Sequence, residues 1–66
     1  MLTVEPSSQR CGDRLRLRAY LVDENGIIVE ALRRDYDAID PRAEAEFQAS
    51  FEAAAGIVLD TPMLFS

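Results

Sequence analysis

The 66-residue chain has no histidine, no lysine and no tryptophan, and only one cysteine, three glycines and three prolines. Each shortage excludes chemistry. Without histidine there is no serine–histidine or cysteine–histidine nucleophile pair. Without lysine there is no Schiff base and no P-loop lysine. The isolated Gly12, Gly26 and Gly56 form no glycine-rich phosphate loop. One cysteine closes no internal disulfide, and without histidine it leaves no soft ligand set for a structural zinc. Asp35, Asp37 and Asp40 lack the central glycine and the spaced glutamate of an EF-hand loop. Carboxylate pairs remain open to glycosidase-type chemistry, but so small a domain has little room for a substrate cleft. The sequence therefore assigns no catalytic residue, no metal site and no cofactor.

Long apolar runs are missing too. The longest, residues 53–59, is far too short to cross a bilayer. No basic region followed by an apolar run opens the chain, so a secretory signal is not read. With a lone thiol, this fits the reducing cytoplasm. All cations are arginine and alanine is abundant, a usage suggesting GC-rich coding in a bacterium or phage.

The apolar fraction of 48% is that of a globular protein. A chain of this length makes one domain and buries only about 60% of its unfolded surface, so it needs close packing or association. The net charge of −5 is unevenly placed: residues 1–34 sum to +1 and residues 35–66 to −6.

Residues 14–22 alternate strictly, which reads as a strand with Leu15, Leu17, Ala19 and Leu21 on one face and Arg14, Arg16, Arg18 and Tyr20 on the other. Residues 27–32 are short and β-branched, again strand-like. Between them Asp23-Glu24-Asn25-Gly26 signals a hairpin. A type I turn with Gly26 in the bulge position pairs Asp23 with Ile27, Leu21 with Val29 and Ala19 with Ala31, which keeps one face apolar. A two-residue Asn-Gly turn would pair Leu21 with Glu30, so the bulged loop is preferred. The second face then carries Tyr20, Val22, Ile28 and Leu32 beside Arg14, Arg16, Arg18 and Glu30. A half-apolar face calls for cover, and a homodimer through strands or through this face is expected.

Residues 35–39 read as an acidic connector. Asp40-Pro41 opens a helix whose apolar stripe is Ala43, Phe47, Phe51, Ala54 and Val58. Gly56 ends it, or it runs on to Leu59; Pro62 forbids more. Glu44, Gln48 and Glu52 fall mostly on the opposite side. Leu2 and Val4 suggest a short edge strand stopped by Pro6, and residues 7–12 a loop. The apolar tail Met63-Leu64-Phe65 docks either on its own core or on another subunit. The expected fold is α+β in β-β-α order, an antiparallel hairpin with an optional third N-terminal strand, packed by one amphipathic helix. Its segments are 1–13 loop or edge strand, 14–34 hairpin, 41–59 helix and 60–66 tail.

Two surfaces are candidates for function. Arg14, Arg16, Arg18 and Tyr20, with Arg33 nearby, are partner- or phosphate-binding candidates, since the guanidinium fork suits carboxylate and phosphate; the plainer reading is a solvated face paired with Glu30 and the acidic helix. Asp35, Asp37, Asp40 and Glu44 form an acidic partner-binding stretch that could imitate duplex phosphates; the plainer reading is acids favouring the helix N-terminus. Cys11 reads as an ordinary half-buried cysteine rather than a reactive thiol. The functional expectation is a non-catalytic, acidic interaction protein, a regulator, inhibitor or accessory subunit, working as a homodimer or on a larger protein. The alternative is a nucleic-acid-binding regulator using the arginine face of a dimeric sheet, against which stands a pI near 4.4. No membrane partner is expected.

Overall fold

The computed structural model describes residues 1–65. Three strands, β1 (Thr3–Cys11), β2 (Arg14–Val22) and β3 (Ile28–Asp37), are followed by one helix, α1 (Ala43–Ala55). The strands form an antiparallel meander in the order β1-β2-β3, an α+β fold. The third strand is N-terminal, as allowed for, but it runs through the residues read as a loop. Pro6 does not stop it, because an edge strand can spare one N–H. Gly12-Asp13 makes the two-residue connection to β2. Gly12 has φ +63°, and glycine at the first central position is what a hairpin turn of the II′ kind demands.

The β2–β3 turn forms as its sequence demands. Asp23 N–H donates to Ile27 C=O at 3.0 Å, and Gly26 N–H donates to Asp23 C=O at 3.0 Å. The Asp23 carboxylate Oδ1 accepts from the N–H groups of Asn25 and Ile27, both at 2.9 Å. Beyond the turn the register departs from the expected one. A bulge between the Val22↔Ile28 and Leu21↔Glu30 pairs shifts β3 by one residue, so Leu21 faces Glu30 and Ala19 faces Leu32. The slip has a physical return. It carries Leu32 and Tyr36 onto the core side. It also sets Arg16 opposite Asp35 and Arg14 opposite Asp37, where the unshifted register would have set Arg16 against Arg34. Glu30, near the turn, stays half-exposed. The acidic connector is thus shorter than expected, because Asp35 and Asp37 belong to β3.

The core is Leu17, Ala19 and Leu21 of β2 against Ala43, Phe47 and Phe51 of α1; Leu17, Phe47 and Phe51 are wholly buried. Burying each such leucine or phenylalanine contributes about 1.5–3 kcal/mol. The helix lies over β2 and β3. It starts at Ala43 rather than at Pro41: Asp40 caps a lead-in turn, its Oδ1 accepting from Arg42 N–H at 2.9 Å. Gly56 ends it in the left-handed conformation, φ 69°, with its N–H on Glu52 C=O at 2.9 Å. The apolar stripe therefore stops early. Val58 is 86% exposed and Ala54 is exposed, while Ala55 and Ile57 pack on the core instead.

The tail docks on the chain's own core. Met63 and Phe65 pack against it, and the Phe65 ring meets Phe47 edge-on with centroids 5.7 Å apart. Val4 of β1 packs on the same core, and an open hollow of about 350 Å³ lies between Val4 and Pro6 on one side and Met63 and Leu64 on the other. Gln48 and Glu52, read as the solvent side of the helix, hold the tail in place. Gln48 Oε1 accepts from Met63 N–H at 2.7 Å, Gln48 Nε2 donates to Thr61 C=O at 3.3 Å, and Glu52 Oε2 accepts from Leu59 N–H at 2.9 Å.

Candidate functional site

With one face of the sheet covered by α1 and the tail, the other is open. Alternation from the observed register puts Arg14, Arg16, Arg18, Tyr20 and Val22 of β2 on it, with Ile28, Ala31, Arg33, Asp35 and Asp37 of β3 alongside. This corrects the expected half-apolar face. Leu32 and Glu30 turn to the helix side, and their places opposite Arg18 and Tyr20 are taken by Arg33 and Ala31. The face keeps Tyr20, Val22 and Ile28, the last 55% exposed, and loses Leu32 to the core side.

The arginine row does not act as one unit. Arg14 Nη1 donates to Asp37 Oδ1 at 2.8 Å, and Arg16 Nε donates to Asp35 Oδ1 at 3.1 Å. Both pairs are solvent-facing, so each contributes little to stability, on the order of 0–1 kcal/mol. They do fix the electrostatics of the face. The hydrogen bond from Arg16 holds the Asp35 carboxyl below its ordinary value, and the same bond holds the Arg16 guanidinium above its own. Two of the three row arginines are therefore neutralised in place.

Arg18 differs. Directly across the ladder stands Arg33, like charge against like. Neither has a carboxylate within ion-pair distance among the described residues. Arg18 Nη2 donates to Gln9 Oε1 at 3.3 Å, and its Nε is buried without a hydrogen-bond partner. A shallow hollow of about 430 Å³ opens here, lined by Arg18, Tyr20, Ala31, Leu32 and Arg33. Two guanidinium forks beside a tyrosine can receive one carboxylate or phosphate group and relieve the repulsion between them.

The acidic stretch is not brought together as one surface. Asp35 and Asp37 answer Arg16 and Arg14 on the sheet, Asp40 caps the turn before α1, and Glu44 lines a separate hollow between α1 and Pro62–Met63. A line of carboxylates imitating duplex phosphates is not what these positions build. The described residues hold no cluster of three or more potential metal ligands, and no helix among them is long and apolar enough to cross a membrane. Cys11 is exposed at the end of β1, not half-buried as expected, since the strand stops there at the sheet's edge.

Gln9 and Ala31 were missed by reading the sequence. The Gly12-Asp13 turn would have found Gln9, because it sets β1 beside β2 in a fixed register. Comparison of the chain with known protein families, curated proteins and solved structures finds no match.

Proposed function

We propose that this chain is a non-catalytic interaction protein that docks an acidic segment of a larger protein on its open sheet face, at Arg18 and Arg33. The observation that carries the reading is the uncompensated pair. The face supplies aspartates to Arg14 and Arg16 and leaves Arg18 and Arg33 side by side with Tyr20. Tyrosine and arginine are the side chains most enriched at the energetic centres of protein interfaces. A nucleic acid is disfavoured by the net charge of −5 and by the neutralised Arg14 and Arg16, which leave no continuous basic track. The exposed lone thiol of Cys11 fits work in the reducing cytoplasm.

The test is a titration of the isotopically labelled chain with a poly-glutamate peptide, followed by amide chemical shifts. Shifts are expected to centre on Arg18, Tyr20, Ala31 and Arg33. The R18A/R33A variant should abolish them, and R14A should leave them in place. Equal loss with R14A, or tighter salt-dependent binding to duplex DNA than to the peptide, would overturn the reading.

A further inference from the structure

The outer edges of the sheet are β1 and β3. β1 carries Pro6, whereas the ten residues of β3 contain no proline. Which backbone groups of β3 face outward follows from the ladder. Ala38 N–H donates to Asp13 C=O at 2.8 Å, so position 38 bonds toward β2. Alternation then turns the backbone groups of Tyr36, Arg34, Leu32 and Glu30 toward β2, and those of Asp35, Arg33 and Ala31 outward. Two outward groups are met only by neighbouring side chains. Ala31 N–H donates to Glu30 Oε1 at 3.1 Å, and Arg33 C=O accepts from Arg34 Nη1 at 3.3 Å.

The residues around Leu32 are complementary to themselves. Glu30 lies two positions before it and Arg34 two positions after, both on the helix side of the sheet. An antiparallel copy centred on Leu32 sets Ala31 opposite Arg33 of the second copy. These are an outward-facing pair, so they exchange N–H and C=O as a hydrogen-bonded pair must. The same register sets Glu30 opposite Arg34 of the second copy. The side chains that cap the free edge in the single chain become each other's ion-pair partners, and the groups they capped become the ladder.

The helices fit this arrangement. α1 lies over β2 and β3; with strands about 4.8 Å apart, two such helices across the junction stand about 10 Å apart, the distance of packed helices. Gln48 and Glu52 face the tail. The flank opposite them, toward β3, bears Glu46, Ser50 and Ala53, and the small Ser50 and Ala53 allow close approach.

We infer that the outer edge of β3 receives a second copy of this chain, antiparallel and centred on Leu32, joining two three-stranded sheets into one. This edge borders the Arg18–Arg33 hollow, since Ala31 and Arg33 belong to both, but it does not rest on that reading: the Glu30 and Arg34 reversals lie on the helix side of the sheet. The experiment is sedimentation velocity of the full chain from micromolar to millimolar concentration. Wild type is expected to dimerise. Ala31→Pro removes an outward N–H and no bond to β2, so it should give a monomer with an unchanged circular dichroism spectrum. Glu30→Arg and Arg34→Glu singly set like charges opposite each other at both symmetric sites. Each should weaken the dimer about tenfold, and the E30R/R34E swap should restore it. A wild type that stays monomeric at millimolar concentration would show that Glu30 and Arg34 only shield the edge, and would overturn the proposal. So would a dimer indifferent to the single reversals, which remains decisive if Ala31→Pro fails to fold.

Discussion

Replacing Gln48 with alanine tests how the tail is held. Gln48 Oε1 takes Met63 N–H at 2.7 Å and its Nε2 reaches Thr61 C=O at 3.3 Å. Two such bonds contribute about 0.5–1.5 kcal/mol each, so Q48A should cost about 1–3 kcal/mol. A chain of this size has roughly 3–10 kcal/mol of total stability, and the loss should lower a urea midpoint by about 0.7–3 M at a slope near 1–1.5 kcal/mol/M. The informative partner is Phe65→Ala. Phe65 is half-buried on Phe47, and by half-burial F65A costs about 1–1.5 kcal/mol. If Gln48 works by fastening the tail, Q48A already frees Phe65, and the double variant should cost no more than the costlier single. Urea unfolding of all four proteins, followed by circular dichroism, reads this directly. Additive costs, agreeing within about 0.5 kcal/mol, would refute the fastening role, because independent sites add and coupled ones do not.

Three further outcomes follow from other sites. Asp23→Ala removes the acceptor for the Asn25 and Ile27 N–H groups and should cost about 1–3 kcal/mol in urea unfolding, from two turn hydrogen bonds at about 0.5–1.5 kcal/mol each. The Asp35 carboxyl is held below its ordinary value of 3.8 by the Arg16 hydrogen bond. A depressed folded value means stability present above the ordinary value and lost as pH falls through the folded one, so acid unfolding of Asp35→Asn should be shallower than that of wild type. The Tyr36 hydroxyl is raised above its ordinary 10.0, first by burial and then by Glu46. The unfolded chain therefore loses this proton first as pH rises, stability falls above about pH 10, and Tyr36→Phe should remove that alkaline loss when melting temperature is followed against pH.

The parts of the fold that could be read from the sequence are those where one residue type has one structural use. Alternating leucines gave β2 its buried face, Asp23 and Gly26 shaped the turn, and Phe47 with Phe51 placed the helix on the sheet. β1 escaped because an edge strand faces water on much of its surface: Ser7, Ser8 and Gln9 carry no apolar alternation. The β3 register escaped because apolar alternation was weighed alone. The bulge accepts a carboxylate, Glu30, beside the core's rim and in return matches Arg14 and Arg16 with Asp37 and Asp35. The same slip decides the candidate site. Arg14, Arg16, Arg18 and Tyr20 were placed on one face and share it; Arg33, expected only nearby, joins them because the slip turns it to that face. Which arginines are free there depends on cross-strand neighbours, and those depend on one inserted residue. Gln48 and Glu52 looked like solvated helix positions because nothing local to the helix marks a backbone segment returning beside it.

The meander itself bears on how quickly the chain organises. Every strand pairs with its neighbour in sequence, through a two-residue loop and a short second turn, and α1 returns onto the strands just before it. No crossover has to close before the sheet gains hydrogen bonds, so little loop entropy is spent in advance. Low contact order of this kind favours fast folding. The exception is the core's rim, where Val4 and, from the other extreme of the described chain, Met63 and Phe65 come together on one cluster. That long-range contact has the largest loop to close, so it belongs late in folding: mutations there should speed unfolding and leave the folding rate nearly unchanged.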